Sequence, residues 1–146
     1  SERCTAPKGN GAAAPAESPP LRLLIIDDNA DTANGLALHL RECGRHVVRL
    51  AQTGRAGVAV AQEFAPEVVL LDIGLPDIDG YEVARQLRAD ERLRDVPLIA
   101  LTGFGGDGDR ARAARAGFRS YLVKPVAYDV LSQVLAGLSE RVPEPS

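Results

Sequence analysis

The chain has 146 residues, with 17 basic against 20 acidic side chains, a formal net charge of −3, two cysteines and no methionine. That length suits one domain with a sizeable core, and the slight acidity leaves no domain-wide electrostatic footprint for nucleic acid. The apolar runs LRLLII and EVVLL fall far short of the ~20 residues of a membrane span, and Cys4 and Cys43 form neither a disulfide framework nor a metal-ligand spacing, which fits a reducing, cytoplasmic setting.

Residues 1–20, SERCTAPKGNGAAAPAESPP, carry no large aliphatic or aromatic side chain and read as a disordered Pro/Ala-rich linker. With no methionine, Ser1 is not an encoded start, and the chain is expected to be a piece of a longer protein. Order is expected from Leu21. The run LRLLII predicts a buried strand ending at Asp27-Asp28; Asn29 caps a helix with Leu36, Leu40 and Cys43 on one face, stopped by Gly44. HVVRLA (46–51) predicts a strand at a sheet edge, since it contains Arg49. Gly54 to Phe64 predicts a helix with Ala56, Val60 and Phe64 on its inner side, and EVVLL a strand ending at Asp72. IGLPDIDG is a loop by its Pro and Gly content, followed by a short helix from Tyr81 to Arg88 and a strand PLIAL ending at Thr102. The loop GFGGDGD leads into an Ala/Arg helix that begins near Asp109 and stops at Gly117. Arg110, Arg112 and Arg115 on it read as a solvated face. RSYLV is a strand ending at Lys124, and a last helix, roughly 127–140, has Ala127, Leu131, Val134 and Leu138 as its inward stripe. Residues 141–146 are a tail.

Five strands of nearly unbroken Val, Ile and Leu, alternating with helices, predict a parallel sheet covered on both faces, a three-layer α/β sandwich. Such sheets bind ligands beyond the carboxyl ends of their strands. Four strands here end in polar residues that apolar packing does not require: Asp27-Asp28, Asp72, Thr102 and Lys124. Three gathered carboxylates repel one another unless a cation sits among them. Mg²⁺ suits such a set, because it takes oxygen ligands and keeps waters and phosphate oxygens in its shell. A hydroxyl and an ammonium beside it would cradle a phosphoryl group, and a carboxylate can itself accept one.

The strings IIDDN, LLDIGLPDIDGYEVARQLR, LTG and YLVKPV resemble the receiver domains of two-component response regulators over residues 21–140, and the order of the motifs agrees. The resemblance implies a (βα)5 flavodoxin-like fold with strand order 2-1-3-4-5. It implies that Asp72 accepts a phosphoryl group from a histidine kinase, a histidine phosphotransfer domain or a small donor such as acetyl phosphate. Asp28, Asp72 and the Gly74 carbonyl would ligate Mg²⁺, with Asp27 acting through a water. Thr102 and Lys124 would hold phosphoryl oxygens, Tyr121 would be the aromatic switch, and the Lys124-Pro125 bond would be cis, aiming the ammonium at Asp72. Gly74 and Phe104 occupy the two positions that tune dephosphorylation, and neither side chain can orient water, so slow self-dephosphorylation is expected. The last strand and its flanking helices would form the partner face of a monomer or weak dimer.

The linker and the string around Asp72 point to the receiver of a hybrid sensor histidine kinase, with a stand-alone regulator as the alternative. From another class, Asp77 and Asp79 in DIDG match the start of haloacid-dehalogenase-type phosphatases, although that motif normally follows an apolar strand directly. A flavin-binding module is poorly matched by a first loop that presents acids where a phosphate needs N–H donors.

Overall fold

A computed structural model of the chain describes residues 20–75, 77–103 and 107–141. The predicted linker through residue 19, the tail from 142, and Phe104 lie outside the described residues. The elements are β1 (Arg22–Ile26), α1 (Ala30–Gly44), β2 (Val47–Ala51), α2 (Gly54–Phe64), β3 (Val68–Asp72), α3 (Gly80–Ala89), β4 (Leu98–Thr102), α4 (Asp107–Arg115), β5 (Ser120–Val123) and α5 (Tyr128–Arg141). All pairings are parallel and the order is β2-β1-β3-β4-β5. The fold is therefore the five-stranded flavodoxin-like sandwich, and β2, with its exposed Arg49, is an edge strand.

Alternation along each strand divides the core between two faces. Leu24 and Ile26 of β1, Val69 and Leu71 of β3, and Leu98 and Ala100 of β4 pack toward Ala61 of α2, Val83 and Leu87 of α3, and Ala113 of α4. The intervening Leu23, Ile25, Val68, Leu70, Ile99 and Leu101 pack toward Leu36 and Leu40 of α1 and Leu131 and Leu135 of α5. The three central strands are thus apolar on both sides, as their sequences suggest.

Local readings differ in three places. The inner face of α2 is Gly54, Gly57 and Ala61, while Ala56 is exposed. A Cβ on Gly57 would lie 2.4 Å from Cδ1 of Ile26, so β1 fills the space a larger helix residue would take. In α5, Ala127 precedes the helix and is exposed; Leu131 and Leu135 are its buried pair, with Val134 and Leu138 packed beside them. Helix α1 ends at Gly44, yet the left-handed residue that stops it is Arg45 (φ 57°), whose N–H bonds to the Leu40 carbonyl.

Candidate functional site

The strand order reverses between β1 and β3, which leaves their carboxyl ends adjacent and their following helices on opposite faces of the sheet. Ile26 lies opposite Leu71 in the register, so the next residues on the two strands are Asp27 and Asp72. Asp27 is fully buried, Asp72 is 6% exposed, and Asp28 is exposed at the rim. Carboxylate oxygens of the three lie within 4.8 Å of one another. Asp27 Oδ1 accepts from the Asn29 N–H at 2.9 Å, and Asn29 in turn caps α1 by accepting from Thr32 N at 3.1 Å. The first acid is therefore locked to the helix that follows it.

Lys124 enters from the far side. Its backbone N–H donates to the Thr102 carbonyl at 2.8 Å, continuing the β4–β5 ladder one step, and the Lys124-Pro125 peptide is cis. Its Nζ stands 2.8 Å from Asp27 Oδ2 and donates to Asp72 Oδ2 at 3.2 Å. The pair with Asp27 is close but off-angle, so this fully buried oxygen has an ionic partner and no aligned donor. Burial is the main influence on Asp27 and raises its pKa. Lys124 and the Asn29 N–H oppose that effect, and Asp72 adds to it. Burial alone would lower Lys124, but the two carboxylates outweigh it and hold the ammonium above its usual pKa.

Asp72 Oδ1 accepts from the Gly74 N–H at 2.8 Å, which ties the side chain to the loop behind it. Thr102 is buried at the end of β4, beside β3. Tyr121, half-buried on β5 opposite Ala100, packs against the cluster under α2–α4. Sequence reasoning assigned Lys124 to Asp72 alone. The shorter contact to Asp27 was missed, because spacing along the chain does not say how far one ammonium reaches across the strand ends.

The acids of DIDG take no part in this cluster. Asp79 caps α3 through Glu82 N at 2.9 Å, and Asp77 accepts from Gly54 N and Arg55 N at the start of α2. Both are occupied as helix caps, which removes the phosphatase reading. Of the arginines expected on a solvated helix face, Arg112 lies 4.2 Å over the Tyr81 ring, within cation–π range.

An oxygen-only cluster of three acids fits a hard divalent cation, and the buried Asp27 oxygen without an aligned donor is an acceptor such an ion could satisfy. Fold and site together define a doubly wound α/β domain with an acidic cluster at its topological switch point. Residues 23–136 match the response regulator receiver domain model, and the chain belongs to that family. It is a receiver domain of two-component signalling with a phosphoacceptor role; such domains are generally non-enzymatic and interact with histidine kinases or phosphotransfer proteins.

Protein PilH of Pseudomonas aeruginosa is 37% identical over 120 residues, covering 80% of this chain and 98% of PilH. The DNA-binding dual master transcriptional regulator RpaA of Synechocystis is 35% identical over 126 residues, 84% of this chain, which spans only 52% of that relative's length. Among solved structures, the receiver domain of the sensor histidine kinase PA1611 from P. aeruginosa, with magnesium coordinated in its active-site cleft, is 34% identical. It aligns with a TM-score of 0.74 over 81% of this chain and 96% of that one.

Proposed function

We propose that Asp72 is the phosphoacceptor. A carboxylate oxygen attacks the phosphorus of a phosphohistidine on a histidine kinase or phosphotransfer domain; the P–N bond breaks, and the imidazole leaves with the bond's electron pair. The observation that carries this reading is the near-buried Asp72 carboxylate, held by the Gly74 N–H and faced by the Lys124 ammonium at 3.2 Å. Asp27, Asp28, Asp72 and the Gly74 carbonyl would hold Mg²⁺, which when bound neutralises charge on the phosphoryl oxygens. Thr102 and Lys124 receive phosphoryl oxygens. Lys124 can do so by turning from Asp72, because Asp27 keeps the ammonium anchored at 2.8 Å. Tyr121 answers the movement of Thr102 and alters the face formed by α4, β5 and α5. Slow loss of the phosphoryl group belongs to the same proposal, with Gly74 and Phe104 as the positions that set it.

Incubation with Mg²⁺ and acetyl phosphate should give one phosphoryl adduct by intact mass, and Asp72→Asn should give none. An undiminished adduct on the variant, or none on the parent, would remove Asp72 from this role. The parent context we infer is a hybrid sensor histidine kinase in the cytoplasm, supported by the likeness to the PA1611 receiver. A stand-alone regulator is the second reading, favoured by the near-complete coverage of PilH. Either protein would act as a monomer or weak dimer through its partner face, without contact to nucleic acid or membrane.

A further inference from the structure

Asp77 lies 23 positions from Gly54 in sequence, yet its two carboxylate oxygens accept from Gly54 N at 2.8 Å and Arg55 N at 3.0 Å. These are two of the first N–H groups of α2, which have no acceptor within their own helix. The helix already has a local cap, since Thr53 Oγ1 accepts from Ala56 N at 3.0 Å. The Asp77 chelate is therefore a cross-link between α2 and the β3–α3 loop in addition to the cap. Arg55 Nε, 4.0 Å away on an exposed side chain, adds little. Beside it, Ile78 packs on Gly54 so closely that a Cβ there would sit 2.5 Å from its Cγ1. The other end of the loop is closed by Gly80 N donating to Ile73 O at 3.2 Å, and Asp79 fixes the start of α3. Between these anchors lies Gly74, whose N–H orients Asp72.

We propose that Asp77 is a positioning residue for the phosphoacceptor: by clamping the β3–α3 loop to the start of α2, it fixes Gly74 and through it the Asp72 carboxylate. The inference rests on the Asp72 reading above. The carboxylate is suited to the clamp because the N-terminal end of a helix favours negative charge, and the two N–H bonds hold Asp77 ionised, with its pKa lowered to about 2.

Thr53→Ala is the control, since it removes a cap bond from the same helix end without touching the loop. Each of Asp77→Ala and Thr53→Ala is expected to lower Tm by roughly 3–6 °C, the shift that loss of one cap gives a domain of about 120 residues. Only Asp77→Ala should slow adduct formation from acetyl phosphate and weaken Mg²⁺ binding by calorimetry, each on the order of tenfold, as loss of an outer-shell partner does. Asp77→Asn, which keeps one acceptor oxygen, should recover part of both and serves if the alanine variant does not fold. The inference fails if Asp77→Ala stays within about twofold of the parent in both measurements, or if Thr53→Ala slows phosphorylation equally. A parent that takes up no phosphoryl group refutes the Asp72 reading and this inference together; a phosphorylated parent with an indistinguishable Asp77→Ala refutes this inference alone.

Discussion

Replacing Lys124 with Met keeps much of the apolar stem and removes the cation that the structure places against both Asp27 and Asp72. At an effective dielectric constant near 20, contacts of 2.8 and 3.2 Å are each worth about 5–6 kcal/mol before desolvation. The net loss is smaller, because the ammonium also regains water on unfolding. Removing one partner of a buried pair typically costs 3–5 kcal/mol. Here the cost from Asp27 has a ceiling, since the carboxyl can take up a proton instead of remaining charged and unpaired. Protonating a carboxyl of ordinary pKa 3.8 costs about 4.4 kcal/mol at pH 7 and about 1.6 kcal/mol at pH 5. Burial already raises Asp27, and loss of Lys124 raises it further. For an acid raised in the folded state, stability is complete below the unfolded pKa and falls as pH rises through the folded one. Lys124→Met should therefore lose about 3 kcal/mol at pH 7 and less at pH 5, where the part that Asp27 carries is no more than about 1.6 kcal/mol. Urea unfolding of parent and variant at both pH values, without divalent cation and at equal m-values, measures the difference. An equal loss at the two pH values, or a greater loss at pH 5, would refute the assignment of Asp27 as the group left unpaired.

Gly80→Ala should lose about 3 kcal/mol and also slow phosphorylation of Asp72, because its Cβ would meet Ile73 Cα at 2.5 Å and Asp72 O at 2.9 Å, where no side-chain rotation gives relief; normal stability in urea would count against this close approach. Gly137→Ala should gain about 0.8–1 kcal/mol, since it is exposed inside α5 with nothing within 4 Å of the new methyl, and a thermal shift in either direction decides the matter. His46 accepts the Leu21 N–H on Nδ1 at 2.9 Å, and burial lowers its pKa against the opposing pull of Glu67. Its contribution is thus complete above the unfolded value near 6.5 and is lost as pH falls below it, so the parent should weaken between pH 7.5 and 5.5 while His46→Gln keeps a flatter profile.

The strands were legible because a strand covered on both faces must be apolar at every position, and runs such as VVLL and LIAL carry no competing helical period. The site was legible for the opposite reason: polar residues interrupt those runs only at their carboxyl ends. What escaped was packing between elements. Gly57 and Ala61 form the buried face of α2 because Ile26 already fills the volume, so the residues closest to the sheet are the small ones, with Val58 and Val60 packed beside them. Ala65 adopts φ 52° after α2 without being glycine, and its carbonyl accepts two bonds from the Arg22 guanidinium, a partner 43 residues away. Asp77 and Asp79 looked alike in sequence, and only the fold separates a cap within its own helix from a clamp across to another.

Lys124 illustrates how topology decides a residue type that composition only hints at, in a chain with seventeen basic residues of which two are lysine. In the order β1-β3-β4-β5 its strand is separated from β3 by β4, about 10 Å at normal strand spacing, and β1 lies one strand farther. The group that serves both acids must therefore extend over the strand ends on a long stem and finish as a point charge small enough to stand between two carboxylates. An ammonium does this at 2.8 and 3.2 Å from the two Oδ2 atoms. A guanidinium is a wide planar fork that favours one carboxylate in a paired geometry, and satisfying Asp72 in that way would leave the buried Asp27 without its cation. The sheet order, set by hydrophobic runs and crossovers far from the charges, thus selects lysine at a place where the arginine that this chain uses elsewhere would not serve.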